Sequence, residues 1–145
     1  MDILHSYIKL KIMKKIFLFV FAAAVFLSCS DNDEINYEYS FIPIDEITAP
    51  TSFTFGEVDT LKIKYTLPNG CYYFNDIYYE YKDSTRIVAV RAINELNTPC
   101  TEALITEEYN LLVKASQEED YVFKFWKGTD NNGDNIFEEV VVPVN

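Results

Sequence analysis

The chain has 145 residues, with 12 basic and 23 acidic side chains and a formal net charge of −11. That length accommodates one domain with its own core, and so acidic a chain repels phosphate backbones, which argues against nucleic acid as a partner. A single histidine, His5, and four scattered glycines offer no imidazole cluster for zinc and no loop to cradle a phosphate.

The first thirty residues read as an export signal. Lys9, Lys11, Lys14 and Lys15 form a positive cluster ahead of the apolar run from Ile16 to Leu27. As a helix that run spans only about 18 Å, too short for the ~30 Å hydrocarbon core of a bilayer. A basic region, a short apolar region and small residues after it are the pattern of a cleaved secretory signal. Met13-Lys14-Lys15 makes a more ordinary start than Met1. Phe26-Leu27-Ser28-Cys29 resembles the bacterial lipobox, in which a small residue precedes the cysteine that receives diacylglycerol; Phe26 departs from it, since leucine is commoner there. The resemblance implies a signal at residues 1–28 and lipid attachment at Cys29, whose acyl chains hold the protein to a membrane at ~0.8 kcal/mol per buried methylene.

Ser30-Asp31-Asn32-Asp33-Glu34 follows directly. An acidic stretch just after the lipidated cysteine resembles the surface-export signal of lipoproteins from the Bacteroides group. The expected address is therefore the outer membrane, lipid-anchored and facing outward. The bland alternative is a solvated tether (residues 29–39) on a domain that faces the periplasm. Removal of residues 1–28 leaves 117 residues of the 145. The removed segment carries four lysines, one aspartate and His5, so 8 basic and 22 acidic residues remain, a net charge of −14. The mature part thus has no imidazole for a general base or a nucleophilic triad.

With Cys29 lipidated, Cys71 and Cys100 are an even pair in an oxidising compartment, which favours a structural disulfide over a reactive or metal-binding pair. Such a bond closes a loop of about 30 residues and contributes roughly 3.6 kcal/mol in the chain-entropy picture.

Residues 40–145 read as strands. Pro43 limits Ser40–Ile47 to an edge role. From Val58 to Leu67 the chain alternates, with Leu61, Ile63, Tyr65 and Leu67 pointing one way and Thr60, Lys62, Lys64 and Thr66 the other. Pro68-Asn69-Gly70 turns the chain. Cys71 to Lys82 is rich in tyrosine and phenylalanine, which favour strands, with a break expected at Asn75-Asp76. Lys82-Asp83-Ser84-Thr85 reads as a hairpin tip leading into a β-branched run over Arg86–Ile93, and Asn94 to Pro99 as loop. Ala103 to Ala115 fits a strand, although Leu104, Ile105, Tyr109 and Leu112 also make a helical stripe. Tyr121, Phe123 and Phe125 line one face of a last hairpin whose returning strand is Ile136 to Val144, with Asp130-Asn131-Asn132-Gly133-Asp134 as its turn.

About seven short strands at 8–12 residue spacing predict an all-β, immunoglobulin-like sandwich. Asp120-Tyr121 resembles the tyrosine corner of such domains, with Phe123 where a cysteine is usual, so the expected disulfide is not the standard one between sheets. Pro68-Asn69-Gly70-Cys71-Tyr72, then Cys100-Thr101, then Tyr121-Val122-Phe123-Lys124-Phe125-Trp126, resemble a group of small Bacteroides-type surface lipoproteins of unknown function with an immunoglobulin-like domain. The resemblance implies a fold and a disulfide between Cys71 and Cys100, and brings no activity.

No catalytic constellation emerges: carboxylates are numerous, but no pair stands out, and a non-enzyme without cofactor is the expectation. Asp130, Asn132 and Asp134 sit at the first, third and fifth positions of a calcium loop. Asn135 and Val141 then stand where that pattern needs glycine and glutamate, so the segment reads as a turn and no metal is expected. Asp59-Thr60-Leu61 and Asp83-Ser84-Thr85 resemble O-glycosylation sites of Bacteroides-group exported proteins, making Ser84 and Thr60 the candidates. The aromatics carry the one hint of binding. Tyr72, Tyr73, Phe74, Tyr78, Tyr79 and Tyr81 crowd into ten residues, and Trp126 lies opposite the Phe123 and Phe125 face. A strand buries one face, so half of these rings point outward, where tyrosine and tryptophan serve protein interfaces and stack on sugars; otherwise they fill the core and its rim. Two readings follow: a lipid-anchored binding or accessory module for a protein or glycan partner, or a structural subunit of an envelope assembly.

Overall fold

The computed structural model describes residues 36–145. The signal at 1–28, the lipid attachment point Cys29 and the acidic stretch at 30–34 lie outside the described residues.

Eight strands follow in order: β1 (Asn36–Ile42), β2 (Ile44–Thr48), β3 (Val58–Leu67), β4 (Tyr72–Lys82), β5 (Thr85–Leu96), β6 (Ile105–Lys114), β7 (Tyr121–Thr129) and β8 (Asn135–Val142). They form a β-sandwich with a five-stranded sheet, β4, β5, β1, β7 and β8, and a three-stranded one in the order β2-β3-β6. The strand beyond the expected seven comes from Pro43. Lacking an N–H, it interrupts Ser40–Ile47, so that Ile42 ends a strand of the large sheet and Ile44 begins one of the small sheet. Both halves remain edge strands, each paired to one neighbour.

β5 is the axis of the large sheet. β4 pairs along one side as a hairpin, from Tyr72↔Asn94 to Lys82↔Thr85. On its other side two strands share the length: β1 covers the C-terminal half, ending at Ile42↔Val90, and β7 the N-terminal half, ending at Val88↔Phe125. The β5–β7 pairing is parallel, whereas the other strand pairings are antiparallel, as expected of an immunoglobulin-like sandwich. The break expected at Asn75-Asp76 is a bulge, where the register shifts between Phe74 and Asp76.

Alternation fills the core. Leu61, Ile63, Tyr65 and Leu67 of β3, Val88, Val90 and Ala92 of β5, and Tyr121, Phe123 and Phe125 of β7 are buried and pack together. Phe53, on the β2–β3 connection, closes one end with its ring edge-on to Tyr121 at 5.2 Å. The tyrosine corner forms: the Tyr121 hydroxyl accepts from the Ser116 amide at 2.9 Å and donates to the Lys114 carbonyl at 3.2 Å.

Cys71 and Cys100 are joined by a disulfide with Cα atoms 5.3 Å apart. Beside it the Gly70 amide donates to the Thr101 carbonyl at 2.9 Å, and a side chain at Gly70 would collide with the Thr101 hydroxyl. A larger residue before Cys71 would therefore make the Thr101 side chain rotate away.

Ala103–Ala115, read as strand, holds β6, which pairs with β3 over ten residues and buries Val113 while Leu104 and Leu112 stay exposed. Two boundaries differ from the sequence reading. Asn94 to Leu96, read as loop, continue β5, because β1 supplies partners as far as Asn36↔Leu96. β1 itself begins at Asn36, inside the stretch read as tether.

Candidate binding surface

The two outer faces of the sandwich differ in kind. On the small sheet Thr60, Lys62, Lys64 and Thr66 point to solvent, and Lys62 and Lys64 pair with Glu108 and Glu46 at 3.7 and 3.8 Å. The large sheet instead turns rings outward. Register sets Tyr37, Tyr39 and Phe41 of β1 on the side of β5 that Arg91 and Ile93 occupy, away from the core. Tyr39 is 65% exposed, Phe41 48% and Tyr73 of β4 50%.

At the centre of this face is a groove of about 330 Å³. Its origin is topological. β1 and β7 meet end to end beside β5, and between their last pairs, Ile42↔Val90 and Val88↔Phe125, the outward residue of β5 is Ala89. A methyl group there leaves a depression. Phe41 and Trp126 stand across the junction with ring centroids 5.9 Å apart, and Tyr78 meets Phe41 edge-on at 5.7 Å. Such tilted and edge-on contacts fix the rings without covering them. Phe137 of β8, the register partner of Trp126, completes the lining.

Polar groups hold the rings in place. The Trp126 indole donates to Asn135 Oδ1 at 2.9 Å, and the Tyr78 hydroxyl donates to Glu80 Oε2 at 2.7 Å. The latter bond holds the Tyr78 phenol above its usual range, so it stays a neutral donor. Further along the face Arg91 grips Asp76 side-on, Nε to Oδ1 at 2.7 Å and Nη2 to Oδ2. Its guanidinium lies 6.0 Å from the Tyr39 ring. The hydrogen bond from Arg91 keeps the Asp76 carboxyl below the ordinary aspartate range.

Of the rings singled out in the sequence, Tyr78 and Trp126 share this groove and Tyr73 lies elsewhere on the same face. Tyr72 and Tyr79 turn inward and pack against the core, with Phe74. Tyr81 lies on the same side as Tyr79, at the rim, 72% exposed. Phe41, Tyr37, Tyr39 and Phe137 were missed. The signal for the first three was present, since Tyr37, Tyr39 and Phe41 alternate as an outward strand face does, but it overlapped the segment read as tether.

Ser84 is exposed at the two-residue β4–β5 tip, beside Asp83 in left-handed conformation at φ 55°. Thr60 is exposed on β3, its strand backbone paired opposite Leu112. At the β7–β8 turn, Asp130 Oδ1 accepts from the amides of Asn132 and Asp134 at 2.8 and 2.9 Å. Those amides hold the Asp130 carboxyl low and commit it to closing the turn. Among the described residues no three histidine, cysteine, aspartate or glutamate side chains cluster as a metal would require.

A family model, the ORF11 beta-sandwich domain, matches residues 61–142, more than half of the chain. The chain belongs to this family. No curated protein matches it, and neither does any solved structure. The matched segment runs from within β3 to the end of β8, so the family domain carries Tyr78, Ala89, Trp126 and Phe137, whereas Phe41 comes from the strand that precedes it.

Proposed function

We propose that this ORF11 beta-sandwich protein is a non-catalytic binding module, anchored to the outer membrane by lipid on Cys29 and exposed at the cell surface. It docks a protein or glycan partner through the outer face of its large sheet. The observation that carries this reading is the aromatic groove at Ala89. Rings from four strands converge there at positions the core does not use, and a patch of this kind on a sheet whose counterpart is charged marks a contact surface. A groove of this volume, walled by fixed rings with a few polar donors and acceptors, suits one ring or side chain as an anchor. The anchor reading rests on the basic and apolar segments before Cys29 and the acidic residues after it.

The test is co-purification from native membranes, with a C-terminal tag, of the natural chain and of Ala89→Arg, which fills the groove from its floor. A partner retained by the former and lost from the latter supports the reading. If the natural chain purifies alone, a glycan panel replaces the pull-down with the same pair of proteins. Binding that is indifferent to Ala89→Arg overturns it. Cys29→Ala is expected to abolish incorporation of labelled palmitate. Protease shaving of intact cells is expected to remove the domain, and full protection would assign it to the periplasmic face.

A second reading, a structural subunit of an envelope assembly, draws on β8, an edge strand with Ile136 and Val141 exposed. Association of the purified domain with itself, dependent on concentration, would favour it.

A further inference from the structure

A second cavity, of about 560 Å³, lies between β4 and β6, on the opposite face of β4 from the aromatic groove. It exists because the sheets are unequal. β6 is the last strand of the small sheet, so among the described residues no strand covers the inner face of β4 beyond it. The Cys71–Cys100 bond ties the start of β4 to the segment that leads into β6. The walls are aromatic, with Phe74, Tyr79 and Tyr81 on β4 and Tyr109 on β6. Burial pushes the Tyr79 phenol up to about 12, so it is neutral at any ordinary pH.

Arg86 lines this cleft. It alternates in phase with Val88, Val90 and Ala92, and is 6% exposed. Its guanidinium lies 4.4 Å from the Tyr81 ring centroid and 5.3 Å from that of Tyr121. Nη1 donates to the carbonyls of Asp83 and Thr85, and Nη2 donates to Gln117 Oε1 at 2.7 Å. Nε is buried and makes no hydrogen bond of good geometry among the described residues, with the Tyr79 phenol close to the guanidinium. No carboxylate among the described residues forms an ion pair with Arg86, although the chain is rich in them. A buried cation without an anion is costly. Arg91 shows what the same Nε and Nη2 edge does when matched, for there it grips both oxygens of Asp76.

We propose that this cleft binds a small organic carboxylate with an apolar or aromatic body. The carboxylate accepts from Nε and Nη2 of Arg86, displacing the neutral amide oxygen of Gln117, and the body lies between the tyrosines of β4 and β6. Lys114, at the end of β6, adds a second positive charge to the lining. Asp76 also lines the cleft but is held by Arg91. One planar guanidinium edge fits two carboxylate oxygens, and aromatic walls suit an apolar body rather than a hydrated polyanion.

The test uses the folded domain and two probes of one shape, 3-phenylpropionate and its neutral amide, followed by amide chemical shifts. The acid is expected to give saturable shifts in β4, β6 and residues 116–121. The amide is expected to bind at least about tenfold more weakly, since it loses a charge-assisted pair. Lys114→Gln, at an exposed position, is expected to weaken the acid and leave the amide unchanged. Arg86→Lys keeps the charge without the fork and is expected to lose most of the preference for the acid. If that variant does not fold, the comparison of acid and amide on the unaltered chain still decides. No saturable shift with the acid, or equal binding of acid and amide, overturns the proposal.

Discussion

The outer faces of the two sheets meet the same solvent and answer it differently. The small sheet follows the simplest scheme: Lys62 and Lys64 alternate with buried Leu61, Ile63 and Tyr65, and facing glutamates pair with the lysines. The large sheet places Tyr39, Phe41, Tyr73, Tyr78 and Trp126 at the equivalent outward positions. Stability asks only that the inward residues be apolar. The small sheet exposes Val58 and Leu112 singly among polar neighbours, whereas the rings of the large sheet touch one another, and that contrast gives them their meaning as a contact surface.

The sharpest way to break this comparison lies within β7, where neighbouring residues face opposite ways. Phe125 is fully buried, and Phe125→Ala is expected to cost about 3–5 kcal/mol of folding free energy. Trp126→Ala, on the outer face, is expected to cost about 1 kcal/mol while removing one wall of the groove. Urea midpoints of both variants check this. Equal losses would mean that Trp126 is structural and that the face is an extension of the core.

The next effect concerns the cleft between β4 and β6 and the disulfide beside it. Replacing Cys71 and Cys100 together by serine is expected to cost about 2–4 kcal/mol, since the bond spans a sequence separation of 29 residues. The readout is the urea midpoint with and without reductant. Reductant should lower that of the natural chain and leave that of the variant unmoved. If the bond also sets the width of the cleft, amide shifts in the variant should reach residues of β4 as far as Tyr81. Shifts confined to the neighbourhood of Gly70 and Thr101 would make the cleft independent of the bond.

Much of this was legible in the residues. The alternation of β3 gave its faces residue by residue, and the bulge at Asn75-Asp76, the Asp83-Ser84 tip and the tyrosine corner were readable locally, while the disulfide followed from counting cysteines and from the resemblance. The groove was not, because it depends on a long-range fact: β1 and β7 share one side of β5 and meet at Ala89. No local pattern carries that register. Arg86 lies between. Its phase with Val88 and Val90 was a local signal that the reading of Arg86–Ile93 as a β-branched run did not use, and its place beside a cleft follows only from the unequal sheets.

A smaller effect sharpens the aromatic face itself. Arg91 holds the Asp76 carboxyl below its usual value of 3.8, chiefly by hydrogen bonding. A carboxyl lowered in the folded state adds stability above its unfolded pKa, and that stability is lost as pH falls through the lower folded value. The natural chain should therefore lose stability below about pH 4 more steeply than Asp76→Asn, as thermal melts across the acid range would show. Parallel curves for the two proteins would mean that the Arg91–Asp76 fork adds nothing beyond solvation, and that Arg91 is free to meet a partner.

The smallest effect belongs to the polar face. Glu46 and Lys64 are well exposed and 3.8 Å apart, so their attraction is weak and screened. Glu46→Gln is expected to cost about 0.2–0.5 kcal/mol at low salt, and almost nothing at ~1 M salt, where the screening length is near 3 Å. The same substitution should leave partner binding untouched, because Glu46 lies on the small sheet, away from the groove on the outer face of the large one. A loss of binding with Glu46→Gln would move the contact surface onto the charged sheet. The rings of the large sheet would then be a rim that the fold tolerates, and the contrast between the faces would reflect packing alone.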